Sequence, residues 1–241
     1  MQTLSIVVPC YNEEEGLHQL FSQLGQLYRK LKGRYALDIV FVDDGSTDST
    51  FGMISSFKKD FARKGASVTI CRHSRNRNLG GALKTGLAHV KGDLVSTIDA
   101  DCTYSLLGLP KLLALLDGST DIVIASPYHP DGKSDIRPAY RLFLSKAISG
   151  IYALLTHSNL HTFTAIFRVY RRKVIDVVRP RSDGFLAVTE MLVFSLRKGF
   201  RVKELPATLT LRKYGRSNMK LFSTITAHFL FILRLLFHLD G

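Results

Sequence analysis

Four times within the first 101 residues a short, continuous apolar run leads into a stretch with helical spacing, and three of the four run ends carry acidic groups. LSIVVPC (4–10) precedes apolar residues at Leu17, Leu20, Phe21, Leu24, Leu27 and Leu31, which is a strand followed by a helix. ALDIVFVDD (36–44) precedes a helix expected to open at Ser46 or Thr47. SVTICRH (67–73) precedes LGGALKTGLAHV, and DLVSTIDAD (93–101) precedes LLGLPKLLALL. Strands that are apolar throughout, rather than alternating, are buried on both faces. The pattern therefore predicts an α/β fold, a mostly parallel sheet with helices on both faces. Ligands of such sheets bind beyond the carboxyl ends of the strands. Pro9 to Glu13, Asp43 to Ser46 and Asp99-Ala100-Asp101 should thus converge on one rim.

Beyond DIVIAS (121–126) the texture changes to PYHPDGKSDIRP, too polar and too punctuated for an element interior, and expected to be a mobile loop at the site. A helix over about 138–155, a β-rich stretch at TFTAIFRVY and a helix around VTEMLVFSLRKG follow. A chain of 241 residues, 46% hydrophobic, suffices for one large domain, placed at residues 1–218, with a C-terminal amphipathic helix at 219–241. Cys10, Cys71 and Cys102 show no disulfide or zinc spacing, and no leader is expected before Leu4, so a cytoplasmic setting is expected.

Charge is divided unevenly. Residues 1–126 hold 14 Lys+Arg against 13 Asp+Glu, and residues 127–241 hold 19 against 7, so nearly all of the net +13 lies in the second half. Such asymmetry fits a surface facing nucleic acid, phospholipid or a phosphorylated substrate, or a solvated basic face. No nucleic-acid motif accompanies it, and nucleic acid is not expected as a partner.

Asp99-x-Asp101-x-Thr103 admits two chemistries. The pair could hold a hard divalent cation against a diphosphate, since Mg²⁺ or Mn²⁺ needs only one or two protein carboxylates when phosphate oxygens and water complete the shell. Alternatively Asp99 could attack phosphorus while Asp101 moves a proton, with Lys111 and Asp131-x-x-x-Asp135 assisting. The second reading leaves Tyr11, Glu13 and Asp43-Asp44 without work. Gly80-Gly81, after Arg75, Arg77 and Asn78, either turns backbone N–H groups toward a phosphate or lets a helix pack closely.

VVPCYNEEEGL (7–17), VFVDDGSTDST (40–50), RNRNLGGALKTG (75–86), IDADCTY (98–104) and RKYGRSNMKL (212–221), in this order, resemble the family 2 inverting glycosyltransferases of GT-A fold. The likeness is greatest to polyprenyl-phosphate sugar synthases related to dolichyl-phosphate mannose synthase. It implies that 1–218 is a GT-A catalytic domain. It implies that Pro9, Tyr11, Glu13, Val42 and Asp44 bind the nucleoside, that Asp99 and Ala100 line the diphosphate of a nucleoside-diphosphate sugar, and that Asp101, with Asp99, holds Mg²⁺ or Mn²⁺. Two departures stand out: Thr103 occupies a position where relatives often have Gln, and Ala125-Ser126-Pro127 replaces their Gly-Ser-Arg.

On the acceptor side the resemblance implies Arg141 and the Arg212-to-Ser217 stretch, with Lys220 substituting for a Lys that is Asn218 here. Planar guanidinium groups suit phosphate. A polyprenyl phosphate is the implied acceptor; a hydroxyl acceptor would need a general base, for which Glu190 is the candidate, its alternative being an ion pair with Arg212. LFSTITAHFLFILRLLF (221–237) is shorter than the ~20 apolar residues of a span. It is expected either to lie at a membrane interface, beside Lys213, Arg216 and Lys220, or to pack on its own domain. Peripheral attachment to the cytoplasmic membrane face follows, and any spanning helices would belong to a membrane-protein partner.

Overall fold

The computed structural model describes residues 1–135, 138–215 and 220–237. Its centre is a seven-stranded sheet of order β3-β2-β1-β4-β7-β5-β8: β1 (Gln2–Cys10), β2 (Tyr35–Asp43), β3 (Ser67–Arg72), β4 (Leu94–Thr97), β5 (Ile122–Ser126), β7 (Arg168–Arg171) and β8 (Val202–Pro206). Every pairing is parallel except those of β7, which runs antiparallel between β4 and β5. This is the GT-A arrangement expected from the sequence.

Adjacent residues of β2 show that both faces are covered, because side chains alternate across a strand. Phe41 meets Phe21 of α1 (Leu17–Leu31) and Phe57 of α2 (Thr50–Ala62), and Phe21 stacks on Phe57 at 4.3 Å. Val42, one residue on, lies under Gly86 of α3 (Asn78–His89), where a side chain on the glycine would run into Val7 and press Val42. α4 (Leu109–Ala114) packs on β5 and β7, and α6 (Arg172–Val177) on β4 and β7. α5 (Ala139–Leu155), α7 (Leu186–Arg197) and α8 (Leu221–Leu236) complete the C-terminal half.

Three expectations change. α2 opens at Thr50, after the expected Ser46 or Thr47, because the polar residues between are engaged by the neighbouring loop. The Pro/Gly-rich loop is anchored rather than free: β6 (Lys133–Ser134) pairs with β9 (Thr208–Leu209). A Cβ on Gly132 would come within 2.6 Å of the Ser126 carbonyl oxygen. In the β-rich TFTAIFRVY stretch only Arg168 onward is strand, and its antiparallel direction delivers residues 162–167 to the rim where β4 ends.

Candidate active site

The turns after β1 and β2 are knit together. Asn12 sits at φ +53°, a conformation Asn tolerates better than most residues. Its Oδ1 accepts the Thr47 N–H at 2.8 Å, and its own N–H donates to Ser46 Oγ at 3.0 Å. The Glu13 N–H donates to Thr50 Oγ1 at 2.8 Å, and the Glu14 carboxylate accepts the Ser49 N–H at 2.8 Å. Gly45, at φ +75°, lies where a Cβ would come within 2.6–2.9 Å of the Arg75–Asn76 backbone, so only glycine fits. Asp44, almost fully buried, accepts from His73 Nδ1 at 2.6 Å and from the Arg77 N–H at 2.9 Å.

At the end of β4, Asp101 Oδ1 accepts the Thr103 N–H at 3.0 Å. The Thr103 carbonyl accepts both the N–H and the Oγ1–H of Thr210, at 3.0 and 3.1 Å, tying the aspartate turn to the segment that bears Arg212. Arg212 forms an ion pair with Glu13, lies 3.8 Å from Asp101 and donates through Nε to the Tyr214 carbonyl at 2.6 Å. One guanidinium thus faces a site with three carboxylates. Burial pushes Glu13 up to about 7, more than Arg212 holds it down. Burial also raises Asp99 well above the usual carboxylate range, and the charges of Asp101 and Glu13 raise it further. Such a site is short of positive charge, which is the condition that favours a bound cation. Among the described residues no three His, Cys, Asp or Glu side chains form a metal cage. The aspartate pair fits a hard cation completed by substrate oxygens.

From Asp99, Asp101 and Arg212 a cavity of about 580 Å³ runs between α5 and α8, walled by Leu144, Ile148 and Ile225. Arg141 and Ser145, one helical turn apart on α5, line it. Ser145 Oγ lies 2.8 Å from Thr164 Oγ1, and Arg141 Nε is buried with no hydrogen-bond partner among the described residues. His228 of α8 also lines the cavity, bonded to Tyr152 Oη at 3.0 Å, and burial pushes its imidazole down to about 4, so it is neutral at pH 7.

Other expected residues are placed differently. Glu190 is buried, and it does not pair with Arg212. Its Oε2 accepts the Arg181 and Ser182 N–H groups at 2.8 Å, and its Oε1 accepts Ser182 Oγ–H at 2.7 Å. Gly80 and Gly81 serve close packing: both N–H groups donate to the Asp183 carbonyl, at 2.6 and 3.2 Å, and a Cβ on Gly80 would lie 2.7 Å from Ala187 Cβ. Val42 and Ala100 are buried, leaving only backbone for a ligand, whereas Pro9 and Tyr11 are partly exposed. Lys220 is exposed just before α8, and Ser217 lies outside the described residues. Lys111, Asp131 and Asp135 are exposed and do not line the cavity beside Asp99, so the phosphoryl-transfer reading lacks its constellation.

Residues 5–179 match the domain described as Glycosyl transferase family 2. The chain belongs to glycosyl transferase family 2. Among curated relatives of this family, a dolichol-phosphate mannosyltransferase of Pyrococcus furiosus is 29% identical over 90% of this chain and 59% of its own length. A polyprenol monophosphomannose synthase of Mycolicibacterium smegmatis is 30% identical over 90% of this chain and 81% of its own. The chain therefore spans well under two thirds of the archaeal relative. Among solved structures, glucosyl-3-phosphoglycerate synthase of Mycobacterium tuberculosis, in complex with Mn²⁺, UDP and glucosyl-3-phosphoglycerate, superposes with a TM-score of 0.67 at 20% identity. That superposition covers 98% of this chain and 78% of the other.

Within this family 2 domain, His73, Ser145, Thr164 and Thr210 occupy the site without having been singled out in the sequence. Only His73, the last residue of an apolar run, carried a positional signal; the others are hydroxyls whose neighbours come from distant elements.

Proposed function

We propose that this chain transfers a sugar, with inversion, from a nucleoside-diphosphate sugar to a polyprenyl phosphate. The observation that carries the reading is the single cavity joining the Asp99–Asp101 pair to Arg141 and then to an apolar passage between α5 and α8. An acceptor with one anionic end and a long apolar chain matches that sequence of surfaces. The names of the curated relatives point the same way.

On this reading the crevice formed by Pro9 to Glu13 and Asp44 takes the nucleoside, and Asp101 with Asp99 would hold Mg²⁺ or Mn²⁺ against the diphosphate. The ion would act as a Lewis acid, stabilising charge on the departing diphosphate. Arg141, with Ser145 and Thr164 beside it, takes the acceptor phosphate, and the unpartnered Nε of Arg141 gains an acceptor there. A phosphate oxygen is already anionic, so attack needs positioning and no proton removal. Glu190 then has the role of holding the 181–182 turn, which in turn seats α3.

Membrane association follows from the acceptor. No described helix is long and apolar enough to cross a bilayer. α5 and α8 instead leave Phe143, Leu154, Phe222, Phe229 and Phe237 exposed, with Lys213 and Lys220 nearby in sequence, as expected for a face resting in a headgroup layer.

The test is transfer from labelled nucleotide sugars to polyprenyl phosphate in detergent with Mn²⁺. Label should enter the lipid phase, and Asp101→Asn should abolish it. Transfer to free hydroxyl acceptors with none to the lipid would overturn the reading.

A further inference from the structure

The reading above leaves the donor's base open, and the following rests on it. We propose that the base is uracil, read by Asp44 through one carboxylate oxygen, and that His73 is the residue that restricts Asp44 to one.

Asp44 stands at the mouth between β1 and β2, its N–H donating to the Cys10 carbonyl at 2.8 Å. A carboxylate has two oxygens and can grip two parallel donors at once. Here Oδ1 is already taken twice, by His73 Nδ1–H at 2.6 Å and by the Arg77 N–H at 2.9 Å. His73 cannot turn away easily. Its other ring nitrogen meets Thr85 Oγ1 at 2.9 Å, and its own N–H donates to the Asp43 carbonyl at 2.9 Å. The contact of Gly45 with the Arg75–Asn76 backbone locks the two stretches against each other. Oδ2 has no hydrogen bond among the described residues, and unlike Asp38 Oδ1 it is not sealed in the interior. Asp44 therefore offers the crevice a single accepting atom.

The four bases answer that atom differently. Adenine and cytosine turn a bare ring nitrogen toward the position opposite a carboxylate, where two lone pairs repel. Guanine presents N1–H beside N2–H₂, a pair that spans both carboxylate oxygens. With Oδ1 occupied by two donors, the N2 amine would face N–H groups and be left unpaired. Uracil presents N3–H alone. A donor stranded without an acceptor in a closed site is enough for tenfold discrimination or more.

Titration calorimetry of the full chain in Mn²⁺ with UDP, GDP, CDP and ADP tests this. UDP should bind at least tenfold more tightly than each of the others. His73→Ala releases Oδ1 from one donor and should narrow the UDP-to-GDP ratio by strengthening GDP, while His73→Asn, which can still donate to Oδ1, should keep the ratio near wild type. A merely structural role for His73 would weaken all nucleotides together and leave the ratio unchanged, which would overturn its part. Wild-type affinity for GDP equal to or above that for UDP would overturn the base assignment while leaving the glycosyl-transfer reading intact. Binding of none of the four would sink both.

Discussion

Glu13 shows how a single side chain can be tuned against the fold that holds it. Burial keeps its proton on to about pH 7, against 4.5 for the ordinary carboxyl. Between those values the native state binds the extra proton, so stability falls as pH rises from 4.5 through about 7 and is level above. Glu13→Gln removes that slope. The variant should be more stable than wild type by about 1–3 kcal/mol at pH 8 in urea unfolding, with a much smaller difference at pH 5; equal midpoints at pH 8 would contradict the assignment. Glu190 poses the opposite case, a carboxylate whose buried position hides a scaffold role. Glu190→Gln keeps the shape but weakens three charge-assisted contacts, so it should cost about 1–2 kcal/mol of stability. Steady-state turnover should stay within about tenfold, whereas loss of a general base would cost on the order of 10²–10⁴.

At the scale of elements, α8 has three faces with separate duties. Leu221, Thr224, Ile225 and His228 face the cavity; His228, Phe231 and Leu235 are buried against the domain; Phe222, Phe229 and Phe237 look outward. Both sequence expectations for this helix, interface and self-packing, are therefore compatible with its geometry. Replacing Phe222, Phe229 and Phe237 together by Ser should weaken sedimentation with anionic vesicles by about tenfold or more while leaving nucleotide affinity unchanged. Unaltered vesicle binding would place the membrane contact elsewhere. The same scale shows what the sequence could disclose. Strand ends bearing Asp44, Asp99 and Asp101 were legible because a buried parallel strand is a local pattern. The direction of β7 was not, since Arg168-Val-Tyr-Arg171 reads alike in either sense and only pairing with β4 and β5 decides it. The partners of Glu190 and His73 were hidden for a related reason: they sit on turns brought together by crossings between elements. Charge misled in part, because Arg168, Arg171 and Arg201 donate to backbone carbonyls and are absorbed by the fold, leaving fewer free cations than the raw count implies.

The whole molecule divides the site between two halves of the chain. Everything that would hold the donor comes from the ends of β1, β2 and β4, and everything that would hold the acceptor comes from α5, α8 and the residues before β7. They meet at two ties, Thr103 to Thr210 and Glu13 to Arg212, which join the aspartate turn to the segment leading into α8. Substrates bound in separate halves should be separable by mutation. Ile225→Trp fills the passage between α5 and α8 without approaching the carboxylates. Its expected effect is a rise of about tenfold or more in KM for polyprenyl phosphate, with UDP affinity by calorimetry within about twofold of wild type. The size follows from the cost of overfilling an apolar pocket, ~1–3 kcal/mol. Should Ile225→Trp leave the lipid KM unchanged, the acceptor chain does not run between α5 and α8. Should it weaken lipid and nucleotide together, the two halves are coupled through the Thr103–Thr210 and Glu13–Arg212 ties rather than independent.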